Sequence, residues 1–157
     1  MNGEELKKRT KAGGIVYGTM LSLSRNPRWA TPMSAFGLDY VIVDTEHSPR
    51  GRADVADFLA AFNFSGVVPI VRVPIPDSLY VTMALDAGAQ GVLAPYCETV
   101  AEVEEVVGAA KWRPLKGALV RKVVEKGEFP SEASKAYLEN RSRNVVCIIG
   151  IESVPAI

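Results

Sequence analysis

Five short runs of this chain are rich in β-forming residues, and helical patterns separate them. That alternation constrains the fold more than any other feature. The runs are Ile15 to Leu23, Tyr40 to Val43, Val67 to Val73, Gly91 to Pro95 and Val145 to Ile151. Tyr40-Val41-Ile42-Val43 is apolar without alternation, as a strand covered on both faces must be. Strands of this kind, alternating with helices, imply a parallel α/β sheet with right-handed crossovers.

The segments between them carry helix signals. Pro27 suits a helix start, Ala30, Met33 and Phe36 recur at helical spacing, and Gly37 follows where a helix would stop. Val55, Phe58, Leu59 and Phe62 mark the next helix. Asp77 is placed to cap a third, which carries Leu79, Met83 and Leu85 and ends at Gly88. Thr99 caps a fourth, from Val100 to Trp112. The N-terminal stretch reads as a helical or frayed cap, residues 113 to 130 as a long Gly/Pro-punctuated loop, and Ser131 to Asn140 as a polar helix. Two architectures accommodate the pattern: an open doubly wound sheet and a (β/α)8 barrel, which typically takes ~250 residues. The 157-residue length favours the first. The strand-to-helix turn Leu23-Ser24-Arg25-Asn26-Pro27 has no glycine, however, so the dinucleotide fingerprint and the P-loop are both missing.

Composition excludes several classes of function. With 18 Lys plus Arg against 18 Asp plus Glu, the chain lacks the net positive charge that nucleic-acid and anionic-membrane binders use. Its expected partner is a small molecule or another protein. Cys97 and Cys147 support neither a disulfide framework nor a thiolate zinc site, and a reducing cytoplasm is the expected compartment. No apolar run approaches the ~20 residues that span a bilayer. A single histidine, His47, excludes any site built on two or more histidines in one copy.

Chemistry-bearing residues gather where the strands end. Asp44, Glu46 and His47 follow the second strand, Arg72 ends the third, Glu98 follows the fourth and Glu152 the fifth. In parallel α/β folds the carboxyl ends of the strands form the active-site face. Asp44 and Glu46, one residue apart, point roughly the same way and could orient an imidazole or hold a cation. The plainer alternative is that Asp44 caps the following turn. Arg72 at the end of a buried strand needs a carboxylate or an anionic ligand, so a structural ion pair with Asp44 or Glu46 competes with substrate binding. Asp86, near the end of its helix, sits where the macrodipole disfavours an anion and invites a partner from elsewhere.

Tyr40 to His47, Pro69-Ile70-Val71-Arg72-Val73-Pro74, Leu85-Asp86-Ala87-Gly88-Ala89-Gln90-Gly91-Val92-Leu93-Ala94-Pro95 and Ile151-Glu152-Ser153 resemble the ordered signature blocks of the HpcH/HpaI aldolase/citrate lyase family. The resemblance runs from about Gly14 to the last residue. It implies an α/β (β/α)8 barrel, with residues 1–157 supplying the N-terminal five strand-helix units as a partial domain. It also implies a metal-dependent aldolase, a class II aldehyde-lyase that cleaves 4-hydroxy-2-oxo acids to pyruvate, or a related 2-oxo acid, and an aldehyde. Such cleavage must stabilise an enolate, which a divalent ion can do as a Lewis acid. Mg²⁺ or Mn²⁺ suits carboxylate ligands.

By resemblance Glu152 is a metal ligand, and Arg72 binds substrate and stabilises the developing oxyanion. His47 takes part in proton transfer, paired with Asp86 of a neighbouring subunit, while Asp44 and Glu46 support the metal-site network. A homo-oligomer, commonly a hexamer, follows. The family's second metal carboxylate comes from an Asp after the next strand, past the last residue of this sequence, so the 157-residue chain alone is expected to be inactive. Gly150 stands where the family usually has a polar residue, often Gln, and Lys116-Gly117-Ala118-Leu119 replaces the usual Gly-x-Arg-Gly. A citryl/malyl-CoA-type lyase of the same family is the alternative reading, and a non-catalytic half-barrel assembly module is the alternative of another class.

Overall fold

The computed structural model describes residues 1–157. Five parallel strands form one sheet in the order of the chain: β1 (Gly18–Leu21), β2 (Tyr40–Asp44), β3 (Val68–Arg72), β4 (Gly91–Ala94) and β5 (Val146–Ile149). Every neighbouring pair is parallel. A doubly wound sheet must reverse its strand order to place helices on both faces. This sheet never reverses, so its architecture is that of a barrel wall, and the sequence's length was a misleading guide.

The helices are α1 (Gly3–Lys11), α2 (Ala30–Ala35), α3 (Arg52–Asn63), α4 (Ser78–Asp86), α5 (Val100–Trp112), α6 (Ala118–Lys126) and α7 (Glu132–Ser142). Strand residues alternate between two faces. Val41, Val43, Val71, Val92 and Ala94 point to the helix side and are buried with Phe58, Leu59 and Phe62 of α3, Val81 of α4 and Val106 of α5. The opposite face carries Tyr40, Ile42, Ile70, Leu93, Val146 and Ile148. Leu6 of α1 packs there, and several of its neighbours remain half-buried. Asp44 and Arg72 share the parity of this second face, which is why they meet at its carboxyl rim.

Local signals account for most boundaries. Asp77 Oδ1 accepts from Leu79 N at 2.7 Å at the start of α4. Thr99 and Glu102 form a capping box at the start of α5. Asn26 caps a short 3-10 turn, Pro27–Trp29, ahead of α2, and Gly37 follows α2 with φ of 73°. β1 is shorter than the apolar run suggests, because only Gly18 to Leu21 pair with β2 and Leu23 is 97% exposed. β5 is likewise confined to Val146–Ile149.

The expected loop at 113–130 is corrected: residues 118–126 form α6. Gly117 and Gly127 bound that helix, both at positive φ. Val120 and Val124 lie against Gly108 of α5, which has no side chain to hold them off. Glycines read as loop punctuation are therefore the two ends of a helix.

Candidate functional site

The site is built at the carboxyl ends of β2 to β5. The β2–β3 register sets Asp44 directly opposite Arg72. Arg72 Nε donates to Asp44 Oδ1 at 2.9 Å, and Arg72 Nη1 lies 3.0 Å from Glu46 Oε2. Asp44 is fully buried. Its Oδ1 also accepts from the backbone N–H of Glu46 at 3.0 Å and, at longer range, of His47, while Oδ2 accepts from Ser48 Oγ. Burial alone would raise the Asp44 carboxyl, but the Arg72 hydrogen bond and these N–H donors outweigh it and hold the group down at about 2. Asp44 thus caps its own turn and anchors Arg72. Both plainer readings of these residues, the capped turn and the ion pair, describe the geometry.

That turn aims its neighbours. Glu46 is nearly buried and His47 is exposed, with His47 Nε2 3.5 Å from Glu46 Oε1. Glu46 Oε2 is buried yet takes no well-aligned hydrogen bond, despite its closeness to Arg72. The loop is tied back to the β1 end, because Ser48 Oγ donates to Ser22 O and Arg50 Nη2 to Leu21 O and Ser24 O. The Arg50 guanidinium also lies over the Phe58 ring at 4.8 Å.

Glu152 follows β5, is exposed, and makes no hydrogen bond or ion pair. Its negative charge helps to raise the Arg72 guanidinium and the Tyr96 phenol. A Cβ at Gly150 would meet Glu152 Oε1 at 2.6 Å and Ala94 O at 3.1 Å. The Glu152 carboxylate therefore folds back over Gly150, in space that a side chain there would take. The other two candidates lie apart. Glu98 is exposed and donates its N–H to Glu102 Oε2, and Asp86 is ion-paired with Arg113 at 3.0 Å.

Tyr96 belongs to the group and is not evident in the sequence pattern. Its phenol is pushed up chiefly by the negative charge of Glu46. The available sequence signal was only its position, two residues past the end of β4.

No three His, Cys, Asp or Glu side chains cluster closely enough to hold an ion by themselves. The donors at hand are carboxylate oxygens, the type that hard divalent cations take, and Mg²⁺ characteristically uses only one or two carboxylates and keeps several waters. Glu152, exposed and without a hydrogen-bond partner, fits such a partial shell. A cavity of about 560 Å³ lies among α4, α5 and α6. It is not the site, since the charged groups converge at the strand ends. No helix is long and apolar enough to cross a membrane.

The profile of the HpcH/HpaI aldolase/citrate lyase family matches residues 19–157. A hydroxypyruvate/pyruvate aldolase of Roseobacter denitrificans is 32% identical over 108 residues, 69% of this chain and 42% of that protein. A 2-dehydro-3,6-dideoxy-6-sulfogluconate aldolase of Pseudomonas putida is 32% identical over 143 residues, 89% of this chain and 54% of that protein. The crystal structure of an HpcH/HpaI aldolase from Desulfitobacterium hafniense superposes with a TM-score of 0.76 at 31% identity, covering 96% of this chain and 58% of that one. The chain thus spans about half the length of the relatives it matches. Strand order, the rim of charged side chains and the matched profile lead to one assignment: this chain belongs to the HpcH/HpaI aldolase/citrate lyase family.

Proposed function

We propose that this chain forms the N-terminal part, residues 1–157, of a divalent-metal-dependent aldolase that cleaves 4-hydroxy-2-oxo acids to pyruvate or a related 2-oxo acid and an aldehyde. The observation that carries the reading is the guanidinium of Arg72, fixed by Asp44 and turned toward Glu46 at the carboxyl rim of the sheet. Retro-aldol cleavage develops negative charge on the 2-oxo group, and a preorganised cation at that oxygen stabilises it without reorganisation during the reaction. Arg72 has that character, since its hydrogen bond to a buried carboxylate holds it in one orientation.

Each site residue has a role in this reading. Glu152 would hold the metal, Mg²⁺ or Mn²⁺ by donor type, with Glu46 supporting the site. When bound, the ion supplies Lewis-acid stabilisation of the enolate charge. His47, exposed beside Glu46, is placed to move a proton to or from substrate. Asp86 sits apart from this rim in its own chain, as a residue serving a neighbouring subunit's histidine would, and it would exchange Arg113 for that partner in a homo-oligomer such as a hexamer. The relatives' names support 2-oxo acid substrates without selecting one.

The test is cleavage of a panel of 4-hydroxy-2-oxo acids by the intact protein, this chain together with the strands that close its barrel. Activity should depend on Mg²⁺ or Mn²⁺ and disappear with chelator. Cleavage of acyl-CoA substrates in preference to the free acids would replace this reading with the CoA-lyase one. The 157-residue chain by itself should not turn over.

A further inference from the structure

The loop that carries His47 is bolted sideways to its neighbour. Residues 45–51 join β2 to α3, and residues 22–26 leave the end of β1, the strand paired with β2. Arg50 reaches across and donates from Nη2 to Leu21 O at 3.0 Å and to Ser24 O. Arg25 reaches back and donates from Nη2 to Pro49 O at 3.0 Å. Ser48 Oγ adds a bond to Ser22 O. The arrangement is not free of cost, because Arg50 Nε and Nη1 are buried without an acceptor, although the guanidinium lies 4.8 Å from the centre of the Phe58 ring. A buried donor left unmatched forfeits its hydration. A folded chain that keeps such a group calls for a reason beyond packing.

The reason lies in what the loop presents. Thr45 Oγ1 donates to Arg72 O, and Asp54 accepts the N–H of Gly51 at the start of α3, so the loop is fixed at both ends. His47 sits between them with its side chain 63% exposed, and its own contacts are a long backbone bond to Asp44 and a 3.5 Å approach to Glu46. Those contacts hold it weakly. Resting on the aldolase reading for its role in turnover, we propose that Arg50 is a positioning residue: its guanidinium, with Arg25 returning the contact, clamps the β2–α3 loop to the end of β1 and so fixes the His47 imidazole along the rim. A group that moves a proton must stay within hydrogen-bond reach of it, and a displacement of about 1 Å can lower a rate by about a hundredfold.

Two measurements on the intact protein test this. The first is amide deuterium uptake. Arg50→Met keeps a stem over Phe58 but no donors, and it should speed uptake in residues 22–26 and 45–51 together by at least about fivefold. Arg25→Met removes a donor from an exposed side chain and should loosen the same two segments, which separates the clamp from a general loss of packing around Arg50. Unchanged uptake in residues 45–51 in both variants overturns the proposal. The second is pyruvate methyl-proton exchange. Arg50→Met should lower kcat by about tenfold or more while KM changes less than about twofold, and a kcat within about twofold of the parent overturns the proposal. In a His47→Gln background the same change should lower kcat by less than about twofold, because its effect passes through His47. A second tenfold loss there would place the effect elsewhere and overturn the proposal. If the parent shows no exchange, the aldolase reading fails and deuterium uptake alone decides the clamp.

Discussion

Asp44 and Arg72 face each other in register across β2 and β3, joined by a 2.9 Å hydrogen bond, with the carboxylate fully buried. The pair closes the carboxyl rim of the sheet, and Glu46 is placed by it from both sides, through the turn that Asp44 caps and through Arg72 itself.

This pair makes stability acid-sensitive. A carboxyl depressed in the folded state contributes stability that is present above its unfolded value, near 4, and is lost as pH falls through its folded value, about 2. The contribution is on the order of 2 kcal/mol. Urea unfolding between pH 5 and pH 2 should show that loss, and Asp44→Asn should flatten the slope over this window while lowering stability at neutral pH.

Removing the cation should be worse than removing the anion's charge. Arg72→Ala leaves a buried carboxylate unpaired and should destabilise the fold by roughly 3 kcal/mol. The variant Asp44→Asn/Arg72→Ala should recover part of that loss, which unfolding midpoints can check.

Much of this rim was legible in the sequence, because period-2 geometry and the barrel rule place residues just past strand ends on one face. Asp44, Glu46, Arg72 and Glu152 follow from that alone. Tyr96 does not, since the turn that leaves it exposed is fixed by the hydrogen bond from Cys97 N to Gly150 O, between segments far apart in sequence. α6 is a different case: Val120, Val123 and Val124 recur at helical spacing, and the signal is masked because the bounding Gly117 and Gly127 read as loop punctuation.

The α5–α6 contact makes its own prediction. A Cβ at Gly108 would meet Val120 and Val124 at 3.0 and 3.2 Å. Gly108→Leu overfills that contact and should cost about 1–3 kcal/mol. The loss should appear in thermal unfolding while exchange activity per folded molecule in the intact protein is retained.

Gly150 should behave oppositely. Gly150→Gln adds a side chain where Glu152 Oε1 and the backbone of Ala94 and Pro95 already lie. The Glu152 carboxylate must leave its seat, so divalent-ion affinity of the intact protein, measured by calorimetry, should change. An unchanged affinity would remove Glu152 in this position from the metal site.

The central claim, an enolate-forming 2-oxo acid site organised by Arg72, is tested most directly by deuterium exchange at the methyl group of pyruvate, which requires no knowledge of the aldehyde. The intact protein with Mg²⁺ or Mn²⁺ should exchange the methyl protons, chelation should stop it, and Arg72→Lys, which keeps charge but not the forked geometry, should slow it by at least about tenfold. Absence of metal-dependent exchange in the folded protein, or exchange that is indifferent to Arg72, would contradict the account.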